Sequence, residues 1–276
     1  MTAPVSQSEI ERLSALLREL GSVCVGYSGG VDSAFLAAYA VEVLGASNVL
    51  AVTGLSPSVS RVQLEMSVAI ARDFGIPHLV VNTKEVADPR YAANPSNRCY
   101  YCKTELWTTL APIARQRGLS ALCDGTNADD VGDQRPGSLA ASEHGVRSPL
   151  LEAGMTKALI REASRARGLP TWNAPASPCL ASRLPYGVAV TPERLRQVEI
   201  AEDGIRARGY REFRVRHHGD SARLEFAPEE LDRAAADAPA LVRAVREAGF
   251  THVLLDVDGY RRGALNEGLK LVQLRG

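Results

Sequence analysis

A short apolar run, Val23-Cys24-Val25-Gly26-Tyr27-Ser28, breaks on two adjacent glycines, Gly29-Gly30, and resumes as a helix-patterned stretch that begins at Asp32-Ser33 and ends near Leu44. A buried strand that feeds a helix through a tight glycine turn is the first half of a strand–helix–strand unit. The helix must cross back over the sheet before a parallel strand can pair. The pattern recurs: residues 49–53, 78–82 and 121–124 read as strands, while 61–74 and 104–117 read as helices, with Gly75 as a stop signal. An amphipathic helix carrying Ile10, Leu13, Leu16, Leu17 and Leu20 on one stripe precedes them and stops at Gly21. This alternation predicts an α/β fold, a doubly wound parallel sheet covered on both faces, over residues 1–172.

From residue 173 the pattern changes. A proline-rich loop spans 173–190. A helix follows at 192–208, then strands at 213–217 and 222–226 around a Gly219-Asp220 turn, a helix at 240–248 and a strand at 252–257. Residues 173–276 therefore read as an interdomain loop followed by a smaller α+β domain. The hydrophobic fraction of 45% and charged fraction of 23% suit a globular protein and exclude a disordered or collagen-like chain. Apolar runs are too short to span a membrane, and the N-terminus lacks the basic and apolar regions of a signal peptide. The 32 basic residues balance 32 acidic ones, so no broad nucleic-acid surface is expected. Five cysteines, an odd and sparse set, point to a reducing compartment, and a cytoplasmic location is expected.

The loop Ser28-Gly29-Gly30-Val31-Asp32-Ser33 has the chemistry of an anion cradle. Its glycines permit close backbone approach, Ser28 and Ser33 add hydroxyls, and the helix start offers N–H groups and the positive end of its dipole. A Walker-type loop would need a Lys before the Ser, and a dinucleotide fingerprint would need G-x-G-x-x-G; neither is present. The segment resembles the SGGxDS loop of the PP-loop ATP pyrophosphatases, which split ATP into AMP and pyrophosphate to activate a substrate as its adenylate. That resemblance implies ATP and Mg²⁺ as cofactors, with Ser28, Gly29, Gly30, Asp32 and Ser33 on the phosphates and Asp32 handling pyrophosphate and Mg²⁺. Thr53-Gly54 follows the second strand, where adenosine lies in such folds. Gly125, within Asp124-Gly125-Thr126-Asn127-Ala128-Asp129-Asp130, follows the fourth. With Asp133 and Arg135 nearby, that acidic stretch reads either as a substrate and Mg²⁺ loop or as a solvated polar loop.

Cys99-Tyr100-Tyr101-Cys102 is a C-x-x-C that alone suits zinc, an iron–sulfur cluster, redox chemistry or no function. Cys179, in Pro178-Cys179-Leu180-Ala181-Ser182-Arg183, stands in a comparably distinctive setting. Three thiolates could hold three irons of a [4Fe–4S] cluster or a zinc ion; alternatively one could be a nucleophile while two form a redox pair. Cys24 and Cys123 lie inside strands and read as core.

Taken together, residues 28–33, 124–130, Asp133-Gln134-Arg135-Pro136-Gly137, 177–186 and Asp258-Gly259-Tyr260-Arg261 resemble the LarE family over nearly the whole chain. These are ATP-dependent sulfur transferases that build the organic part of the lactate racemase nickel-pincer cofactor. The resemblance implies pyridinium-3,5-biscarboxylic acid mononucleotide as substrate and adenylation of its carboxylate. Attack by Cys179 then gives a thioester, and cleavage of the Cys179 Cβ–S bond leaves a thiocarboxylate and dehydroalanine. Arg183, nearby in sequence, is expected to assist that thiol. In three-cysteine relatives the resemblance implies a [4Fe–4S] cluster, here on Cys99, Cys102 and Cys179, with sulfide on the open iron. Donor and cluster ligand both remain open for Cys179. The same resemblance implies a substrate-phosphate site at Arg214 and Arg216 and divalent-ion contacts at Glu202 and Glu225. A homo-oligomer is the expected assembly. A tRNA-thiolating enzyme and a non-catalytic nucleotide sensor are the alternatives.

In the predicted hairpin, Arg214 and Arg216 share a strand face. The two-residue turn sets Arg214 opposite Glu225 and Arg216 opposite Arg223. The second pairing places like charges together, which an anion would relieve; a solvated charged hairpin is the alternative. His217 and His218 alternate faces and make no convincing metal pair.

Overall fold

A computed structural model describes residues 7–130 and 136–261. The chain divides into two compact units, Met1–Tyr91 with Ser96–Ser177, and Ala92–Pro95 with Pro178–Gly276. The sequence pattern placed the break at 172/173. Contacts place it at 177/178 and give four residues near position 94 to the second unit. The side chain of Asn94 is the reason: its Nδ2 donates to the carbonyls of Pro185 (2.7 Å) and Val188 (2.9 Å). The Val190 N–H also donates to the Ala92 carbonyl.

The first unit is built on strands β1 (Val23–Gly26), β2 (Val49–Leu55), β3 (His78–Asn82) and β4 (Ala121–Cys123), all parallel and ordered β3-β2-β1-β4. Helices α1 (Gln7–Leu20), α2 (Val31–Leu44), α3 (Arg61–Asp73), α4 (Arg98–Gln116), α5 (Pro136–Glu143) and α6 (Lys157–Ala166) cover it. Alternation along β1 separates two cores. Val23 and Val25 face Leu13, Leu17, Phe35, Ile70 and Ile160, while Cys24 faces Trp107, Leu110 and Ala141. Both faces are thus buried, the doubly wound arrangement expected from the alternating pattern.

The order β3-β2-β1-β4 has a consequence for function. From β1 the chain winds outward through β2 and β3, then returns to place β4 on the other side of β1. The crossovers therefore diverge between β1 and β4 and leave a crevice at their carboxyl ends, where open α/β sheets take ligands.

Helix α4 begins at Arg98, not near Thr104. Cys99 and Cys102 accordingly lie on its first turns rather than in a loop. Helices α5 and α6 were not anticipated, although α6 has a clear start signal: the Thr156 hydroxyl accepts from the Leu159 N–H.

The second unit contains β5 (Phe213–His218), β6 (Ser221–Phe226) and β7 (His252–Leu255), with helices α7 (Pro192–Arg206), α8 (Leu231–Ala236) and α9 (Ala238–Glu247). β5 and β6 form an antiparallel hairpin, and β7 joins β6 in parallel. Gly219 takes φ +64°, as the first central position of a type II′ turn demands. One apolar face, including Val215, Leu224 and Phe226, packs with Ile205, Leu241 and Val245.

Candidate active site

The glycine loop closes over the carboxyl end of β1. Gly29 has φ +71°, and a Cβ there would come within 2.7 Å of the Ser67 Cβ on α3, so conformation and space both require glycine. Gly30 caps α2 without a side-chain hydrogen bond, which leaves the first-turn N–H groups directed at the crevice. The Ser28 and Ser33 hydroxyls lie 3.1 Å apart, and Ser33 Oγ accepts from the Ser28 N–H at 3.2 Å. They shape the loop as well as lining it.

Across the crevice, Gly125 follows β4. A Cβ there would stand 3.0 Å from the Ser33 nitrogen and 3.3 Å from the Asp32 Cβ, so only glycine lets the 124–130 loop approach the start of α2 this closely. Asp32 is held from two directions. Asn127 Nδ2 donates to Oδ1 at 3.3 Å, and Lys157 Nζ lies 2.5 Å from Oδ2. The Lys157 N–H donates to Asp129 Oδ2 at 2.8 Å. Asp124 accepts from the Thr126 N–H and hydroxyl and from Ser148 Oγ, so it braces the turn. Asp133, Gln134 and Arg135 lie outside the described residues.

Lys157 is the site residue that the sequence reading missed; Asn127 lay in the stretch 124–130 that it singled out, without a role of its own. A signal for Lys157 existed. It is the first residue of α6, where a cation opposes the helix dipole. A lysine in that position is favoured only if an anion or a carboxylate faces it.

Thr53 is buried, and its hydroxyl is committed: it donates to the Tyr27 carbonyl at 2.8 Å and accepts from His78 Nε2 at 2.8 Å. Because the hydroxyl proton goes to Tyr27, His78 carries its hydrogen on Nε2. Burial holds His78 below its ordinary pKa. A Cβ on Gly54 would meet Leu106 Cδ1 at 2.9 Å and Thr83 Cγ2 at 3.0 Å. The Thr53 hydroxyl is thus committed within the fold, and Gly54 is packed against Leu106 and Thr83 inside β2.

Cys24 and Cys123 are fully buried, as expected for core thiols. Burial pushes the Cys24 thiol up to about 12 and Cys123 higher still, so neither supplies a thiolate. Cys99 is exposed, and Cys102 and Cys179 are partly buried. Among the described residues no group of three or more His, Cys, Asp or Glu side chains is gathered to hold a metal ion.

In the second unit, Arg214 faces Glu225 and Arg216 faces Arg223, the register anticipated from the turn. The ion pairs do not follow that register: one is a cross-strand diagonal and the other runs along β6. Arg216 Nε donates to Glu225 Oε2 at 2.8 Å, and Arg223 Nη2 donates to Glu225 Oε1 at 2.9 Å. Glu225 thus relieves the like-charge pair from within the chain. Arg214 is buried, its guanidinium carbon 4.6 Å from the centroid of the Tyr260 ring. Burial, then the neighbouring Arg183, pushes its pKa down from the ordinary value. Arg183 forms a two-pronged pair with Glu202, Nε to Oε1 at 2.8 Å and Nη2 to Oε2 at 3.0 Å. Its remaining donors meet the carbonyls of Pro178 and Cys179, not the Cys179 sulfur.

Comparison with known proteins places the chain among relatives that cover nearly its whole length. A family model described as NAD synthase matches residues 11–97. An uncharacterized protein of Synechocystis is 44% identical over 95% of this chain and 98% of its own length. The pyridinium-3,5-bisthiocarboxylic acid mononucleotide synthase of Lactiplantibacillus plantarum is 34% identical, with 95% of each chain covered. An NH(3)-dependent NAD(+) synthetase of Pyrococcus horikoshii is 37% identical over 29% of this chain and 31% of its own.

Proposed function

Because the chain belongs to the LarE family, that of the pyridinium-3,5-bisthiocarboxylic acid mononucleotide synthases, we propose that it is an ATP-dependent sulfur transferase acting on pyridinium-3,5-biscarboxylic acid mononucleotide. The observation that carries this reading is the glycine loop at the β1/β4 crevice, with Asp32 and Lys157 paired beside it. A helix start, two glycines and an acid–lysine pair suit a nucleoside triphosphate and its Mg²⁺. Gly29 and Gly125 let the glycine loop pack on α3 and the 124–130 loop pack on the start of α2, which draws the two loops together beside Asp32. In this reading the substrate carboxylate attacks the α-phosphorus of ATP, pyrophosphate departs and an acyl-adenylate forms. Asp32 would hold the Mg²⁺, which when bound would neutralise phosphate charge, and the Lys157 ammonium stands beside it to meet the departing phosphates.

The Cys179 thiolate then attacks the activated carbonyl, expelling AMP and forming a thioester. Loss of the Cys179 α-proton and cleavage of its Cβ–S bond leave the sulfur on the product as a thiocarboxylate and dehydroalanine in the chain. Arg214 and Arg216 are assigned to the substrate phosphate. Arg216 already serves Glu225 and the Ser182 carbonyl, so a phosphate there requires it to exchange a partner.

A second sulfur source is favoured by one observation: Cys99 and Cys102 sit one turn apart at the start of α4. The family resemblance adds Cys179 to this pair as the ligands of a [4Fe–4S] cluster, which when bound would offer sulfide from its open iron. No step above depends on it. The test of the main reading is pyrophosphate and AMP release that requires the dicarboxylated pyridinium mononucleotide. ADP as the product, or no dependence on that substrate, overturns it.

A further inference from the structure

We propose that Glu202 and Glu225 are positioning residues that act through Arg183 and Arg216 to hold the backbone around Cys179, and are not ligands of a divalent ion. The assignment rests on the sulfur-transferase reading only for what Cys179 does; the clamp stands on geometry alone. Both carboxylates are buried, at 3% and 1% exposure. Each oxygen of Glu202 accepts from Arg183, and Oε1 also accepts from the Val215 N–H at 3.3 Å. Glu225 gives one oxygen to Arg216 and the other to Arg223. A divalent cation at either place would have to displace a guanidinium and then sit among the remaining arginines, which repel it. The donor set does not fit a cation.

What the carboxylates do instead follows from the other ends of the same guanidiniums. Arg183 Nη1 donates to the Pro178 carbonyl at 2.7 Å, the Cys179 carbonyl at 3.2 Å and Ser182 Oγ at 2.9 Å. Arg216 Nη1 donates to the Ser182 carbonyl at 2.8 Å. Two arginines therefore grip a loop that has little other regular structure, a short 3₁₀ turn at Leu180–Arg183. The planar guanidinium is suited to this: one edge meets a carboxylate while the other reaches carbonyls at a fixed angle. Glu202 on α7 and Glu225 on β6 set the orientation of each fork. Cys179 keeps a partly exposed side chain on a fixed backbone.

The test compares the intact protein with Glu202→Gln, Arg183→Lys and the paired change Arg183→Leu with Glu202→Leu. Lysine keeps the charge pair but cannot also reach two carbonyls; the leucine pair removes both buried charges together and protects folding. Alkylation of Cys179 by iodoacetamide is followed by peptide mass, with Cys99 as the internal reference, and neither ATP nor substrate is required. The clamp predicts that Cys179 alkylation accelerates by about fivefold or more in Arg183→Lys and in the leucine pair, as a local unit loosens, while the Cys99 rate is unchanged. It also predicts an unaltered Mg²⁺ dependence of pyrophosphate release in Glu202→Gln. Unchanged Cys179 reactivity in both Arg183 variants overturns the proposal, as does a shifted Mg²⁺ requirement in Glu202→Gln. Failure of the sulfur-transferase reading would leave the alkylation result standing and is thereby distinguished.

Discussion

Lys157 donates from Nζ to Oδ2 of Asp32 across 125 positions of sequence, joining the start of α6 to the start of α2. Two like-directed helix dipoles meet at that pair, and both helix starts favour a bound anion. In the proposed function Lys157 serves the phosphates when Asp32 would hold Mg²⁺. Lys157→Ala is expected to slow AMP formation by about 100-fold, the scale of losing one positioned electrostatic donor. Asp32→Ala is expected to abolish it, with folding intact by circular dichroism. An unimpaired Lys157→Ala enzyme would remove the lysine from the site.

Gly125→Ala tests the crevice itself. A methyl group there would stand 3.0 Å from the Ser33 nitrogen and press the 124–130 loop away from the glycine loop. The expected outcome is a rise in the KM for ATP of about tenfold or more, with a modest loss of stability of about 1–3 kcal/mol from overpacking. Steady-state kinetics and urea unfolding measure the two effects separately. A variant with unchanged KM would place ATP elsewhere.

Arg216→Ala should be costly to the fold as well as to binding. Arg216 and Glu225 have side-chain exposures of 6% and 2%, so removing the arginine leaves a buried carboxylate with Arg223 alone. A loss of about 3 kcal/mol or more is expected in chemical denaturation. Substrate KM, measured on the folded fraction, should rise by about tenfold for a lost charge-assisted phosphate bond. A stable variant with normal KM would contradict both assignments.

The source of sulfur separates cleanly by mass and colour. If Cys179 is consumed, the purified protein is colourless and loses about 34 Da at Cys179 after one turnover, the mass of H₂S. If a cluster operates, anaerobically prepared protein is brown with about four irons per chain, and Cys99→Ala, Cys102→Ala and Cys179→Ala each lower that content. Iron-free protein that makes product with the mass loss would exclude the cluster.

Mild acid should weaken the fold. Burial lowers the pKa of His78, and burial followed by Arg194 lowers that of His217, both from an ordinary 6.5. His217 Nδ1 is buried and meets no hydrogen-bond partner among the described residues, so the folded state prefers the neutral ring. Above pH 6.5 this contribution is complete, because neither state binds the proton. As pH falls below 6.5 the unfolded chain protonates first, and stability is lost down to the depressed folded pKa values. The urea midpoint should therefore be lower at about pH 5.5 than at about pH 7.5, and His217→Gln should reduce that difference. An identical pH dependence in the variant would remove His217 as a contributor.

What the chain makes legible by itself is local. The strand–Gly29-Gly30–helix turn, the alternation that buries both faces of a parallel sheet, and the Gly219-Asp220 hairpin register all depend on residues within a few positions of one another. Backbone sterics and hydrophobic period act over that range, so they can be read without coordinates. The start of α4 escaped that reading because Arg98-Cys99-Tyr100-Tyr101-Cys102 has no side-chain cap, and Cys and Tyr are weak helix formers. Partner choice was decided only by tertiary structure. Lys157 meets Asp32, Thr53 spends its hydroxyl on Tyr27 and His78, and Arg216 takes Glu225 on the diagonal while its directly opposite neighbour is Arg223. Long side chains can reach several partners at nearly equal cost in an isolated segment. Burial makes an unpaired charge or an unmet hydrogen bond expensive, and that cost selects one arrangement, which exists only once distant elements have packed.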